Sequence, residues 1–371
     1  MEIDSAVFTG CLLGMAVGDA MGAPVDAKQY EQICQTYGPQ GLLGYDSANG
    51  LAQITSYSQV ALYAANGLLV GAARGKTNTE GQMAWITASL KEWAKVQHLP
   101  GSPDKRICWM SHISQMRRRR CMDPRTLDAL TRGVLGTPQV PANQSAGPGT
   151  LTAVIPVALF FQPERMDFWD IGLLGARIVA LTHGEATAYL SGAALAYTLA
   201  GVIHDPKCSM EDQFLHAAQA VVAQFQGAPA GKLQMLIYNA VEMAKDPRIS
   251  PLQAMERLGC NTAASVLAGA AYAVLSSGGD FDAAMITAVN HSGKSAAVGA
   301  VTGAILGAAY GEETLPGFYL DCLDCDGVIR ELAADLHTAC PKGWQKRLFD
   351  DDWDRKYTQG RPVDRDGWEK A

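Results

Sequence analysis

The chain has 371 residues, of which 48% are hydrophobic and 18% are charged, and its formal net charge is −7 at pH 7. This composition is typical of a globular protein with a large buried core and shows no sign of a disordered tail. The acidic balance disfavours general nucleic-acid binding, and no run of about 18 uninterrupted apolar residues predicts a membrane span.

Helical periodicity dominates the chain from its first residues, and strand alternation is nearly absent. In chain order the pattern predicts helices at Ser5–Met21, Ser58–Ala73, Gln82–Gln97, Arg125–Gly133, Gly149–Phe161, Asp170–Leu181, Glu185–Ile203, Glu211–Gln226, Gly231–Ala244, Ser250–Arg257, Thr262–Ser277, Phe281–Asn290, within 286–311, and Val328–Ala339. No Pro- or Ser-rich linker and no fixed-period repeat divides these elements. We therefore expect one all-α domain over residues 1–371.

The cysteines and the N-terminus point to the same compartment. Nine cysteines, an odd number, are scattered along the chain, which is typical of a reducing cytoplasm rather than of a disulfide framework. The first residues carry Glu2, Asp4 and Asp19 and no basic segment, unlike a secretory signal peptide. Cys322 and Cys325 form a lone CxxC without a second ligand pair, so we interpret them as ordinary thiols. We expect a cytoplasmic protein.

The stretch 286–311 is the most distinctive part of the sequence. A polar turn, Asn290 to Ser295, precedes a helix composed almost entirely of Ala, Gly, Val and Leu. Its glycines at 299, 303, 307 and 311 are spaced by four and share one helical face. Because glycine costs a helix about 1 kcal/mol relative to alanine, such a row predicts very close approach of another backbone. The polar turn at this helix N-terminus is a candidate cradle for an anion or a metal.

Five motifs occur in order between residues 6 and 345. They are Gly14-Met-Ala-Val-Gly18-Asp19-Ala20-Met-Gly22-Ala-Pro24-Val-Asp26; Thr55-Ser56-Tyr57-Ser58-Gln59; Ser145-Ala-Gly147-Pro148-Gly149 with Val154-Ile-Pro156; Leu181-Thr182-His183; and the block 261–311. The set resembles the motifs of the ADP-ribosylglycohydrolase family. The resemblance implies an all-α orthogonal bundle, a cleft between the motif loops, and ADP-ribose-type substrates cleaved at the N- or O-glycosidic bond.

The resemblance also implies a pair of Mg²⁺ ions, held by two aspartates after the first Thr and by the Asp-x-Asp-Thr/Ser of the last motif. The matching positions here are Ser56, Tyr57, Lys294, Ala296 and Ala297. The formal charge of the four aspartate positions thus rises from −4 to 0, or to +1 with Lys294 protonated. Hard dications need several oxygen ligands, and an ammonium at ~4 Å would repel Mg²⁺ by several kcal/mol in a partly buried cleft. We predict that this magnesium pair is absent, and we expect no other metal or cofactor.

Seven other residues of the family pattern remain. They are the vestigial catalytic candidates Asp19, Asp26 and His183, and the ligand-binding candidates Thr55, Gly147, Gly149 and Asn290. Pro148 replaces the family's Asn in the glycine loop and removes a backbone N–H donor. Each residue also has a structural interpretation, as a helix cap, a core contact or a turn, and taken singly that interpretation is favoured.

Two basic features each have two interpretations. Lys294 is either a solvated lysine or, as we favour, an ammonium in the vacated metal position that pairs with Asp19 or Asp26. The run Arg117–Arg120 could bind phosphate or nucleic acid, but four adjacent arginines are more typical of a solvated face.

Three functional hypotheses follow. The leading one is a catalytically inactive member of this family that acts by binding, as an immunity protein that occludes an ADP-ribosyltransferase toxin. This hypothesis rests on family-level analogy. The second is an ADP-ribosyl or related N-glycosidic hydrolase with a metal-independent site. The third is a sensor that binds ADP-ribose or a nucleotide without cleaving it.

Overall fold

A computed structural model describes residues 3–47, 50–98, 106–121, 123–161, 163, 166–339 and 351–363. In these residues the only β-type pairing is an isolated bridge between Ala52 and Leu323. The helices are α1 (Ser5–Gly22), α2 (Tyr30–Tyr37), α3 (Ser56–Ala73), α4 (Thr79–His98), α5 (Ser114–Arg117), α6 (Pro124–Arg132), α7 (Ile155–Phe160), α8 (Phe168–Ala180), α9 (Ala186–His204), α10 (Met210–Phe225), α11 (Gly227–Lys245), α12 (Pro251–Leu258), α13 (Ala263–Ser276), α14 (Phe281–Val289), α15 (Ser295–Tyr310), α16 (Gly317–Asp321), α17 (Asp326–Ala339) and α18 (Asp351–Trp353). The all-α prediction is confirmed.

Most helix ends lie within a few residues of the predicted ones, and the exceptions have local causes. The predicted helix Gly149–Phe161 is wrong as a single element: it consists of a 3-10 turn, Leu151–Val154, followed by α7. Pro156 lacks an N–H and fits only the first turn of an α-helix, so α7 begins one residue before it. The short helices α2, α5, α16 and α18 were not predicted.

The centre of the fold is the contact between α1 and α15, at opposite ends of the sequence. Both helices present glycines at four-residue spacing, and these glycines face each other. A Cβ built on Gly14 would lie 2.2 Å from the carbonyl oxygen of Gly303, and one on Gly18 would lie 1.9 Å from that of Gly299. The predicted close backbone approach is confirmed, and its partner is the N-terminal helix.

Two segments, Ser5–Val25 and Ala186–His204, are long and apolar enough to cross a membrane by length and composition. In each, 78% of the apolar window is buried inside the protein. Such burial is typical of core helices, and α9 lies between α8 and α13 within the bundle.

Candidate functional site

A cavity of about 420 Å³ opens where the predicted motif loops meet. Its described lining residues are Asp26, Tyr57, Cys121, Asp123, Pro124, Ser145, Gly147, Pro148, Asn261 and Lys294. They come from the segment after α1, the first turn of α3, the start of α6, the glycine loop and the turns before α13 and α15. The cleft implied by the resemblance is thus present in the structure.

Asp19 lies beneath the cavity rather than in its lining. The fully buried carboxylate accepts four hydrogen bonds, from the backbone N–H and the hydroxyl of Thr55 (2.7 and 2.6 Å) and from those of Ser58 (3.0 and 2.6 Å). Burial raises the pKa of Asp19 to about 6, although these hydrogen bonds favour the charged form. The carboxylate holds the start of α3 against α1, so its oxygens already have partners.

Asp26 lies in the cavity wall and pairs with Lys294. Its Oδ2 is 3.7 Å from the Lys294 Nζ, and its Oδ1 accepts the backbone N–H of Ala296 at 3.1 Å. Burial raises the pKa of Asp26, and Lys294 opposes that shift. Of the two partners considered for Lys294, the structure therefore places Asp26 beside it.

His183 contacts the cavity residue Asp123, which the sequence analysis did not identify. The Nε2 of this fully buried histidine is 2.8 Å from the Oδ2 of Asp123, and its Nδ1 is 2.7 Å from the Thr182 hydroxyl, which is 2.9 Å from that of Thr150. Burial raises the pKa of Asp123, but hydrogen bonding and charge from His183 outweigh it and hold that pKa below its ordinary value. The Asp-Pro pair at 123–124, a typical helix start, was the available signal.

The three carboxylates share one structural role. Each accepts a backbone N–H near a helix N-terminus: Asp19 at α3, Asp26 at α15 and Asp123 at α6. Unpaired N–H groups and the helix dipole stabilise a carboxylate in this position. The structural interpretation of Asp19 and Asp26 thus has a specific geometric basis.

The glycine loop packs directly on the Asp123–His183 pair. A Cβ on Gly147 would lie 3.2 Å from the Asp123 Oδ2 and 3.3 Å from the His183 Nε2. A Cβ on Gly149 would lie 2.5 Å from the same carboxylate oxygen and 2.2 Å from the Thr126 hydroxyl. An alanine at position 149 would therefore force the Asp123 and Thr126 side chains to move, whatever the loop binds.

The other ligand-binding candidates lie outside the cavity lining. Thr55 caps α3 through a hydrogen bond from the Tyr57 N–H and donates to Asp19. The Asn290 amide accepts the N–H of Leu42 and donates to the carbonyls of Leu42 and Ile286, so it joins α14 to the chain after α2. Their side-chain atoms serve contacts within the protein.

The family's metal positions do not supply magnesium ligands here. The Ser56 hydroxyl donates a hydrogen bond to the Cys121 carbonyl at 3.0 Å, Tyr57 lines the cavity, and Ala296 and Ala297 are buried and carry only methyl side chains. The described part of the chain contains no group of three or more His, Cys, Asp or Glu placed to hold a metal ion. This donor set does not fit a magnesium pair.

The arginine run does not form one solvated face. Arg118 and Arg119 are exposed, but Arg120 is buried, 2.5 Å from Asp324 and hydrogen-bonded to the Ile54 carbonyl at 2.9 Å. The expectation of a solvated run is thus wrong at this residue. The partner Asp324 lies in the loop before α17, distant in sequence from the run, and it pairs with Arg120.

The fold and cavity are those of an all-helical bundle in which loops from the start, middle and end of the chain converge. The profile of the family described as ADP-ribosylglycohydrolase matches residues 4–346. The chain belongs to the ADP-ribosylglycohydrolase family.

Among solved structures, a chain titled "ADP-ribosylglycohydrolase-related protein complex" is similar to this one, with a TM-score of 0.55 and 23% identity over 91% of this chain and 98% of the other. At that identity the likeness shows the fold alone. No curated protein matches the sequence.

Proposed function

We propose that this member of the family acts by binding a partner and does not use the family's magnesium-dependent hydrolysis. The observation that carries the proposal is the charge inventory of the cavity. Asp26, Asp123 and Lys294 are the charged side chains among its described lining residues, and both carboxylates already serve as helix caps, with Asp26 paired to Lys294 and Asp123 hydrogen-bonded to the His183 ring.

The partner that we propose is an ADP-ribosyltransferase toxin, whose NAD- or target-binding cleft this protein would cover as an immunity protein. The partner class rests on analogy within the family. The loop that leads to the lining residue Ser145 offers an apolar surface for such a contact, because Val134 and Val140 on it are 61% and 72% exposed. Hydrogen bonds fix this loop: Gly136 donates to the Leu181 carbonyl, and Asn143 to that of Thr182. A fixed loop loses little entropy on binding.

The test is size-exclusion chromatography of the protein with the product of the neighbouring reading frame, which the proposal expects to be a transferase. A stoichiometric complex that survives EDTA, with loss of transferase activity, is expected. Val140→Asp should weaken the complex at least tenfold, whereas Met235→Asp, at a 57% exposed position on α11, should not. Absence of a complex, or equal weakening by both variants, contradicts the proposal.

A second candidate, a metal-independent glycosidic hydrolase, is favoured by the pair Asp26 and Asp123. The two carboxyl groups line one cavity, and their environments move their pKa values in opposite directions. Such a pair is the pattern of a proton donor and a charged carboxylate at one site.

This second candidate predicts that the protein hydrolyses an ADP-ribosylated protein substrate in the presence of EDTA, and that Asp26→Asn and Asp123→Asn each abolish this activity. Activity that requires added Mg²⁺, or no activity at all, rejects the candidate. Calorimetry with ADP-ribose in the same preparation tests the sensor hypothesis, which micromolar binding without turnover would favour and millimolar or no affinity would reject.

A further inference from the structure

We infer that the Lys294 ammonium replaces a metal ion as the cation of this cavity, and that Asp26, Lys294 and the N-terminus of α15 form a self-neutralised site. The inference deepens the proposed function, because it rests on the absence of magnesium chemistry.

The two segments that carry the ion pair are joined at several points. The Ala27 N–H donates to the Gly293 carbonyl at 2.8 Å, and the Tyr30 N–H donates to the Ser292 hydroxyl at 3.0 Å. The Lys294 N–H donates to the Cys260 carbonyl at 2.8 Å, which fixes the turn from its other side. The ammonium is thus carried by a turn that is held against the Asp26 segment.

Asp26 performs two tasks at once. Lys294 is the N-cap residue of α15, but its side chain accepts no hydrogen bond there. The Asp26 carboxylate caps α15 in its place, through the Ala296 N–H, and turns its other oxygen toward the ammonium. A negative charge at this helix end therefore has two neighbouring sources of positive charge.

Asp26 is the carboxylate that needs this cation. Asp19 has four hydrogen-bond donors, and Asp123 has the His183 ring. The side chain of Asp26 is 15% exposed and receives one backbone hydrogen bond. A partly buried carboxylate with so few donors needs a cation beside it. The 35% exposed side chain of Lys294 brings that cation from the solvent side of the cavity.

The test is thermal unfolding of the full chain with 10 mM MgCl₂ or with EDTA. We expect the same Tm in both solutions for the wild type. Lys294→Met should lower the Tm by about 2 °C or more in both, whereas the matched exposed substitution Lys76→Met should not. Lys294→Asp puts a second carboxylate beside Asp26, so it should lower the Tm further and be the variant that Mg²⁺ restores.

Three results would overturn the inference: an EDTA-sensitive wild type, a Lys294→Met variant as stable as Lys76→Met, or restoration of Lys294→Met by Mg²⁺. If Lys294→Asp does not fold, calorimetric titration of the wild type with MgCl₂ decides, and a measurable binding heat refutes the inference. None of these stability and metal-binding measurements involves the transferase. If no transferase complex forms, the prediction for Lys294 still stands, and if the Lys294 variants behave otherwise than expected, the transferase complex can still be tested.

Discussion

His291 gives the most quantitative prediction, because its ring is buried in the turn before α15. The Gly293 N–H donates to its Nδ1 at 3.0 Å, so Nδ1 carries no proton, and its Nε2 donates to the Ala288 carbonyl at 2.9 Å. Burial lowers the pKa of His291 from 6.5 to about 4, although the Ala288 contact and the nearby Glu256 charge oppose the shift. Protonation would break the Gly293 contact.

The direction of the pH dependence follows from the linkage between proton binding and folding. A histidine pKa that is lower in the folded state means that the unfolded chain binds the proton more readily. The stability contributed by neutral His291 is fully present above pH 6.5 and is lost as the pH falls toward 4. Between about pH 7.5 and 4.5 the loss amounts to about 2.5 kcal/mol.

Asp19 acts in the opposite direction over the same range. Its pKa is raised to about 6, so protonation of Asp19 stabilises the folded state by about 2 kcal/mol between about pH 7.5 and 4.5. The pH dependence of the wild type alone therefore hides the histidine. The comparison must be with His291→Asn, whose amide oxygen can accept the Gly293 N–H but does not titrate in this range.

The assay is urea unfolding of both proteins at each pH. The free energy of unfolding of the wild type should fall relative to His291→Asn by about 2.5 kcal/mol between pH 7.5 and 4.5. A difference that is constant with pH would refute the neutral, doubly hydrogen-bonded ring.

Three further predictions concern packing and charge. Gly303→Ala should lower the free energy of unfolding by at least about 2 kcal/mol, because the new Cβ would lie 1.9 Å from a backbone oxygen; Gly231→Ala, in an open stretch of α11, should raise it by up to about 1 kcal/mol, and urea unfolding checks both. Arg120→Ala should cost about 3 to 5 kcal/mol by leaving a buried carboxylate unpaired, whereas Arg119→Ala should change stability little, and equal effects of the two would contradict the buried pair. Gly149→Ala should displace the Asp123 carboxylate, which lies against the His183 ring, so NMR should show changed chemical shifts for that ring. An unchanged His183 spectrum would refute the contact between Gly149 and Asp123.

The sequence predicted those features that repeat along the chain or stand in a motif. The four-residue glycine spacing predicted close backbone contact at α15. The family resemblance predicted that Lys294 lies beside Asp19 or Asp26, and the structure places it beside Asp26. The matching spacing of Gly10, Gly14 and Gly18 in α1 was equally legible and would have identified the partner helix.

What the sequence did not predict depends on pairing between distant segments. The Asn290 amide is occupied by Leu42, 248 positions away, and Asp123 meets His183 across 60 positions. Nothing local to Arg120 distinguishes it from its neighbours, since its burial depends on Asp324. Such residues have ordinary local patterns, and their environments are set by the tertiary fold.

The contact between α1 and α15 has a consequence for how the protein is made. Gly14 and Gly303 are separated by about 290 residues, and their backbones meet with no side chain between them. The N-terminal helix therefore leaves the ribosome long before its partner α15 exists, and its glycine face stays uncovered by that helix until then. Loop closure over such a distance is slow and leaves intermediates prone to aggregation. We expect truncations that end before α15 to be insoluble, and chaperone binding during synthesis to end only when α15 emerges.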